Sequence, residues 1–176
     1  MKLQLFKITM AILLNLAVSL DGFIEGPNGE FDWCFTDQDY GMTEFLARCD
    51  AIIFGRKSYE LMLQYEENPY PDKMKYVFSN TLQSAAGKAA VVSGDVPEAI
   101  AKIKQRSAGD VWFFGGARLL EDFMRYDLID EMHLAVHPVL LGRGKPLFSG
   151  LDGRKYFKLK EAKTHSSGLV QLIYSK

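Results

Sequence analysis

The order of hydrophobic and polar positions divides the chain into short blocks of differing period. Residues 8 to 19, ITMAILLNLAVS, are nearly continuous in apolar side chains, as expected of a strand covered on both faces. Gly26 to Trp33 (GPNGEFDW) holds a proline, an asparagine and two glycines and reads as a loop. From Asp37 to Arg48 the period changes: Met42, Phe45, Leu46 and then Cys49 recur at helical spacing, predicting an amphipathic helix. Ala51 to Phe54 is a short buried strand halted by Gly55, and Ser58 to Gln64 a second helix. Glu66 to Lys73 (EENPYPDK) is an exposed connection, followed by strands at Lys75 to Ser79 and Ala89 to Val92. Asp95-Val96-Pro97-Glu98 starts a helix whose buried side is Ala99, Ile100 and Ile103. Proline is tolerated in a first turn, and acidic residues favour the positive end of the helix dipole. Val111 to Phe123 runs strand, glycine pair, helix; Glu131 to Leu140 is another strand. Phe157 to Thr164 and Leu169 to Tyr174 form a hairpin turning at His165 to Gly168.

Strands alternating with helices predict one α/β domain spanning residues 1 to 176, with a mostly parallel sheet and an antiparallel C-terminal hairpin. The first block has a competing reading. Lys2 and Lys7, the run from Ile8 to Leu16 and Ala17-Val18-Ser19 match the three parts of a secretory signal. Asn15 interrupts that run, and cleavage after Ser19 would remove the longest candidate for the central strand. The strand reading is favoured.

Composition narrows the function classes. With 48% hydrophobic residues the chain can bury a substantial core. Twenty-one basic and 22 acidic residues give a net charge of -1 with no basic stripe, so nucleic acid is not an expected partner. No segment reaches the roughly 18 uninterrupted apolar residues of a membrane span. Cys34 and Cys49 lack metal or redox spacing and read as unpaired core thiols. A soluble, cytoplasmic protein is expected.

Two segments carry chemistry. In Phe113-Phe114-Gly115-Gly116-Ala117-Arg118 a hydrophobic strand passes through two glycines into a helix; bare backbone there admits a close ligand, and helix N–H groups hold anions. A tight turn needing one positive φ is the plainer explanation of a glycine pair alone. In Ile53-Phe54-Gly55-Arg56-Lys57-Ser58-Tyr59-Glu60 a second strand ends in glycine beside two cations, which suit a phosphomonoester. A dinucleotide bearing an extra phosphate needs both.

These segments sit in an ordered set: LAVSLDGFI (Leu16 to Ile24), Gly55 to Glu60, Phe78-Ser79-Asn80, Phe114 to Ala117, Asp127 to Glu131 and PVLLGRGKPLF (Pro138 to Phe148). Together they resemble the dihydrofolate reductase superfamily, most closely the branch of the reductase domain of bacterial riboflavin biosynthesis. The resemblance implies a dihydrofolate-reductase-like three-layer α/β fold with helices on both faces of the sheet, and NADPH as cofactor. By similarity Ala17 and Ile24 would line the nicotinamide pocket; Gly55, Arg56, Lys57 and Ser58 would hold the 2′-phosphate, with Ser79 and Asn80 nearby; Phe114, Gly115, Gly116, Ala117 and Arg118 would form the pyrophosphate strand and turn. The acid that serves dihydrofolate reductases falls near Asp39, with Asp37 as the alternative, although both also suit a helix's first turn. Ala135 stands where those enzymes carry a threonine, which argues against folate itself.

Asp21 and Trp33 flank the implied opening to the substrate pocket and complete the candidate catalytic set; a turn aspartate and a lid or core aromatic are the plainer readings. His133 and His137 would lie about 13 Å apart on one strand, too far to share a metal, and no metal is expected. Tyr65, Tyr70 and Tyr76 read as packing residues. The resulting expectation is an NADPH-dependent reductase delivering hydride to a C=N or C=O carbon of a small pterin- or pyrimidine-like heterocycle. Its partners would be that small molecule and a second copy of the chain in a homodimer. A nucleotide-binding module without turnover is the alternative, and a secreted non-catalytic protein a third reading.

Overall fold

The computed structural model describes residues 10–65 and 70–176. Residues 8 and 9 of the expected first strand, the charged positions before it, and Glu66 to Pro69 of the expected connection lie outside them. In chain order the elements are β1 (Ile12–Ser19), β2 (Phe23–Glu25), α1 (Met42–Arg48), β3 (Cys49–Gly55), α2 (Arg56–Tyr65), β4 (Met74–Phe78), β5 (Ala89–Val92), α3 (Val96–Arg106), β6 (Asp110–Gly115), α4 (Ala117–Arg125), β7 (Glu131–His137), β8 (Lys145–Pro146), β9 (Lys158–Thr164) and β10 (Val170–Ser175).

Eight strands form one sheet in the order β5-β4-β3-β6-β1-β7-β10-β9, parallel except where β10 pairs with β7 and β9. β1 is paired on both sides, with β6 and with β7, and its Ile12, Leu13 and Leu14 are fully buried. Burial of each such side chain stabilises the fold by about 1.5–3 kcal/mol. The segment that also matched a signal sequence is therefore the middle of the sheet.

Side-chain alternation sends successive strand residues to opposite layers. Leu13, Ile52, Phe54, Val77 and Trp112 meet Phe45 of α1 and Tyr59 and Met62 of α2 on one face. Ile12, Leu14, Ile53, Val111 and Phe113 meet Ile100 and Ile103 of α3 and Leu119, Leu120 and Phe123 of α4 on the other. This is the three-layer arrangement expected. Asp95 caps α3, its carboxylate accepting from Glu98 N at 2.8 Å, with Pro97 in the first turn.

Among the described residues, two boundaries differ from expectation by three residues or more, each for a local reason. The helix expected from Asp37 begins at Met42, because Tyr40 (φ 50°) and Gly41 (φ 77°) are left-handed, a conformation no right-handed helix includes. The strand expected to reach Leu140 stops at His137, just before Pro138, which cannot donate to a ladder. β2 and β8 pair into a small second sheet too short to show a period. At the far edge all seven residues of β9 are exposed, and Lys158, Lys160 and Lys163 blunt it against edge-to-edge pairing. Cys34 and Cys49 are unpaired.

Candidate functional site

The sheet opens at one place. β1 pairs with β6 only from Ile12↔Val111 to Leu14↔Phe113. Beyond that point β7 follows β1 as far as Ser19↔His137, while β6 stays with β3 as far as Phe54↔Gly115. The two central strands therefore part company toward their carboxyl ends, where open α/β sheets bind ligands. At the vertex the indole Nε1 of Trp112 donates to the backbone oxygen of Asn15 at 3.2 Å, replacing the ladder that has ended. One lip of the cleft carries Ala17, the other Gly115 and Gly116, and Asn15, Leu16 and Ala17 are only partly buried although the strand is central.

On the β6 side the two segments expected to bind anions are brought together. A Cβ on Gly116 would stand 3.0 Å from Gly55 Cα, and one on Gly55 would stand 3.2 Å from Gly116 Cα. Gly116, at φ 125°, is also in a region that side chains avoid. The backbones touch because neither carries a side chain, so α2 and α4 begin next to each other. Neither helix has an acidic residue in its first turn, leaving two positive dipole ends side by side. Ser58 faces this junction, its Oγ 3.4 Å from where a Gly115 Cβ would be. Lys57 and Arg118 are exposed, and Ala117 is the first residue of α4. Arg56 donates to Glu60 one turn on, at 2.8 and 3.0 Å through Nη1, an exposed pair that leaves its other N–H groups available. Ser79 Oγ accepts from Leu82 N (2.9 Å) and Thr81 N (3.1 Å); it shapes the turn after β4, and Asn80 beside it is exposed. Phe114 packs against Phe54 and Trp112, with ring centroids 4.8 and 4.9 Å away, so its backbone alone faces the junction. Ile24 packs on the core of the α3/α4 face. The paired bare backbones and convergent helix ends fit the phosphates of a dinucleotide, and a side chain at Gly55 or Gly116 would collide with the other turn and force the two apart.

The other side of the cleft is built from side chains, and here the expected acids are engaged elsewhere. Asp39 accepts from Thr43 Oγ1 at 2.8 Å and Thr43 N at 3.0 Å; these bonds hold its carboxyl below the usual carboxylate range and make it a cap for α1. Asp37 accepts from Tyr40 OH at 2.7 Å, which lowers its pKa likewise. Asp21 accepts from Ser19 Oγ (2.6 Å), Gly142 N (2.7 Å) and Leu141 N (3.1 Å), tying the turn after β1 to the loop after β7. The Ser19 hydroxyl is the main cause of its lowered pKa, with burial opposing. All three are ionised at neutral pH, and none is poised to give up a proton. Trp33 lies edge-on to His137, centroids 5.3 Å apart, and its Nε1 is buried without a partner among the described residues.

His137 and His133 serve different neighbours on β7. His137 accepts from Phe35 N at 3.0 Å through Nε2 and meets Ala135 O at 2.9 Å through Nδ1, a pairing that assigns the proton to Nδ1. Burial lowers its pKa against the effect of that carbonyl bond. His133 meets the Glu131 carboxylate at 2.8 Å, which Arg48 holds at 3.2 Å; despite burial, these two neighbours keep the Glu131 carboxyl below its usual value. Gln171 donates to Tyr40 O at 2.6 Å and meets His165 at 2.7 Å, closing the α1 approach onto β10. Of this wall, sequence reasoning singled out Trp33, weighed His133 and His137 only as metal ligands, and noted Asn15 as the polar break in the most apolar segment. It missed Gln171 and its bonds to Tyr40 and His165, whose partners are remote in the chain.

A profile of the RibD C-terminal domain family matches residues 10–171. The uncharacterized protein YyaP of Bacillus subtilis (strain 168) is 44% identical over 175 residues, 93% of each chain. Among solved structures, a Shewanella sp. PV-4 protein provisionally assigned to riboflavin biosynthesis superposes with a TM-score of 0.85 at 28% identity, covering 94% of this chain and 98% of that one. A Thermotoga maritima diaminohydroxyphosphoribosylaminopyrimidine deaminase/5-amino-6-(5-phosphoribosylamino)uracil reductase shares the fold at a TM-score of 0.71 and 16% identity, over 95% of this chain and 56% of that one. With its sequence matched almost end to end and its sheet split beside the two glycine turns, the chain belongs to the RibD C-terminal domain family, a reductase-like group on the dihydrofolate-reductase-like fold.

Proposed function

We propose that the chain is an NADPH-dependent reductase of a small, planar, pyrimidine-like heterocycle. The observation that carries this reading is the contact of Gly55 with Gly116, which merges two strand-to-helix junctions into one phosphate cradle beside a split in the sheet. The reductase named for the Thermotoga neighbour acts on an aminouracil, and a pyrimidine ring suits a shallow floor made by Ala17 and Ala135, which are register partners. NADPH supplies the hydride when bound. The chain's own task is to hold the acceptor carbon against the cleft and exclude bulk water. Asp21, Asp37 and Asp39 being ionised, the proton for the substrate heteroatom enters from water.

Titrating the protein with NADPH and NADH by fluorescence, for wild type and Arg56→Ala, tests this. NADPH binds more tightly to wild type, and the substitution removes a preference of about tenfold or more, the worth of charge-assisted hydrogen bonds to the 2′-phosphate. Failure of both nucleotides to bind overturns the reading. Tight NADPH binding without oxidation by any aminouracil or dihydropterin would make the protein a nucleotide-binding module.

A further inference from the structure

Asn15 is a partly buried polar residue in the most apolar strand of the described sheet. It follows three fully buried apolar residues on the central strand, where alternation puts its side chain on the same face as Leu13 and Ala17, beneath α1. Its Nδ2 has one weak partner, Met42 Sδ at 3.9 Å, and its Oδ1 has none among the described residues. A leucine would pack there without an amide to satisfy. Asn15 sits at the vertex of the split between β1 and β6, next to His133 in the parallel register, and one alternation step below the Ala17–Ala135 floor. His133 is turned to the Glu131 carboxylate, which Arg48 also holds, so the amide of Asn15 is the group left to face a ring lying on the two alanines.

We infer that Asn15 is the specificity-determining residue of the substrate pocket, and that it reads a lactam edge. An asparagine amide offers a donor and an acceptor side by side, and the complementary partner is a ring N–H adjacent to a ring C=O, as in a uracil. The displaced Met42 contact is weak, so the amide is free to turn onto the ring. This inference rests on the reductase reading and names the substrate edge within it.

The test uses protein saturated with NADP+, with 5,6-diaminouracil as the lactam probe and 2,4-diaminopyrimidine as a ring lacking that edge. Calorimetry gives the affinities, and the side-chain amide signals of Asn15 in a nitrogen-15 correlation spectrum report contact directly. The expected result is a preference for the diaminouracil in wild type, with the Asn15 NH2 pair shifted on addition. Asn15→Leu should weaken that probe at least tenfold while NADP+ affinity and Tm are retained. Asn15→Asp, of the same shape, should reverse the preference, because a carboxylate pairs with a protonated aminopyrimidine through two charge-assisted bonds. Equal binding of the diaminouracil to wild type and Asn15→Leu, or an unmoved Asn15 signal, overturns the inference. So does binding of NADP+ with no binding of either ring, which leaves the reductase reading intact. Failure of NADP+ itself to bind brings down both.

Discussion

The two sides of the cleft are made of different materials. On the β6 side the site is backbone: Gly55 and Gly116 in contact, two helix ends, and cations at the rim. On the β7 side it is side chain: Asn15 from β1, His133 from β7, Gln171 from β10 and Trp33 from the loop before α1. Backbone sites require particular residues at adjacent positions, and so leave motifs. Side-chain sites are assembled by topology, from positions more than a hundred residues apart. On the proposed reading, the backbone side would select the class of cofactor and the side-chain side the molecule that is reduced.

The largest expected effect breaks the backbone side. Gly116→Ala places a Cβ 3.0 Å from Gly55 Cα and 3.2 Å from Gly55 N at φ 125°. Neither contact can be relieved by a side-chain rotation. The strained backbone alone costs about 1–3 kcal/mol, and forcing β3 and β6 apart at their ends should reduce dinucleotide affinity about a hundredfold or more. Urea denaturation and NADPH titration of the same variant check both parts. An unchanged affinity would mean that the Gly55 to Gly116 contact serves only packing.

Next is Asp21→Ala, which removes the acceptor for Ser19, Leu141 and Gly142. The turn after β1 is then no longer tied to the loop after β7, and Tm should fall on the order of 5 °C. If Asp21 is structural, NADPH affinity changes far less than for Gly116→Ala. A collapse of binding with Tm retained would return Asp21 to the chemistry.

What the sequence made legible follows the same division. The β4, β5 and α3 boundaries and the two glycine junctions could be read locally, because period, glycine and cap residues act over a few positions. The contact between those junctions could not, since it depends on β3 lying beside β6. Asp37 and Asp39 were read as a helix's first turn and stand before it, since the left-handed Tyr40 and Gly41 delay the helix. Asn15 was visible only as an interruption; its meaning needed the register that sets it beside His133.

Asp39→Ala sharpens this point with a smaller effect. Loss of the bonds to Thr43 uncaps α1 and should lower Tm by about 2–4 °C, leaving NADPH affinity and its pH dependence unchanged. Thermal melts of Asp39→Ala and Asp39→Asn separate the two roles: the asparagine retains the cap and should recover most of the loss, whereas an acid essential to the reaction would leave Asp39→Asn stable and inactive toward any substrate the wild type reduces.

The smallest effect is a pH dependence confined to the side-chain wall. His137 accepts from Phe35 N only while Nε2 is unprotonated, and burial holds its pKa below the ordinary histidine value in the folded protein. The unfolded chain titrates at about 6.5, so it takes up the proton first. The stability due to His137 is therefore complete above that pH and is lost as the pH falls from there through the folded value. The aspartates capping the neighbouring turns also have lowered pKa values, but their contribution is complete above about 4 and is lost only in more acid solution. Melting curves between pH 7.5 and 5 isolate the histidine. Wild type should lose Tm across that window, and His137→Gln, which keeps an acceptor and cannot titrate, should lose less. Equal slopes would mean that the loop carrying Trp33 is held by its aromatic contacts alone, and that this wall of the cleft does not respond to pH.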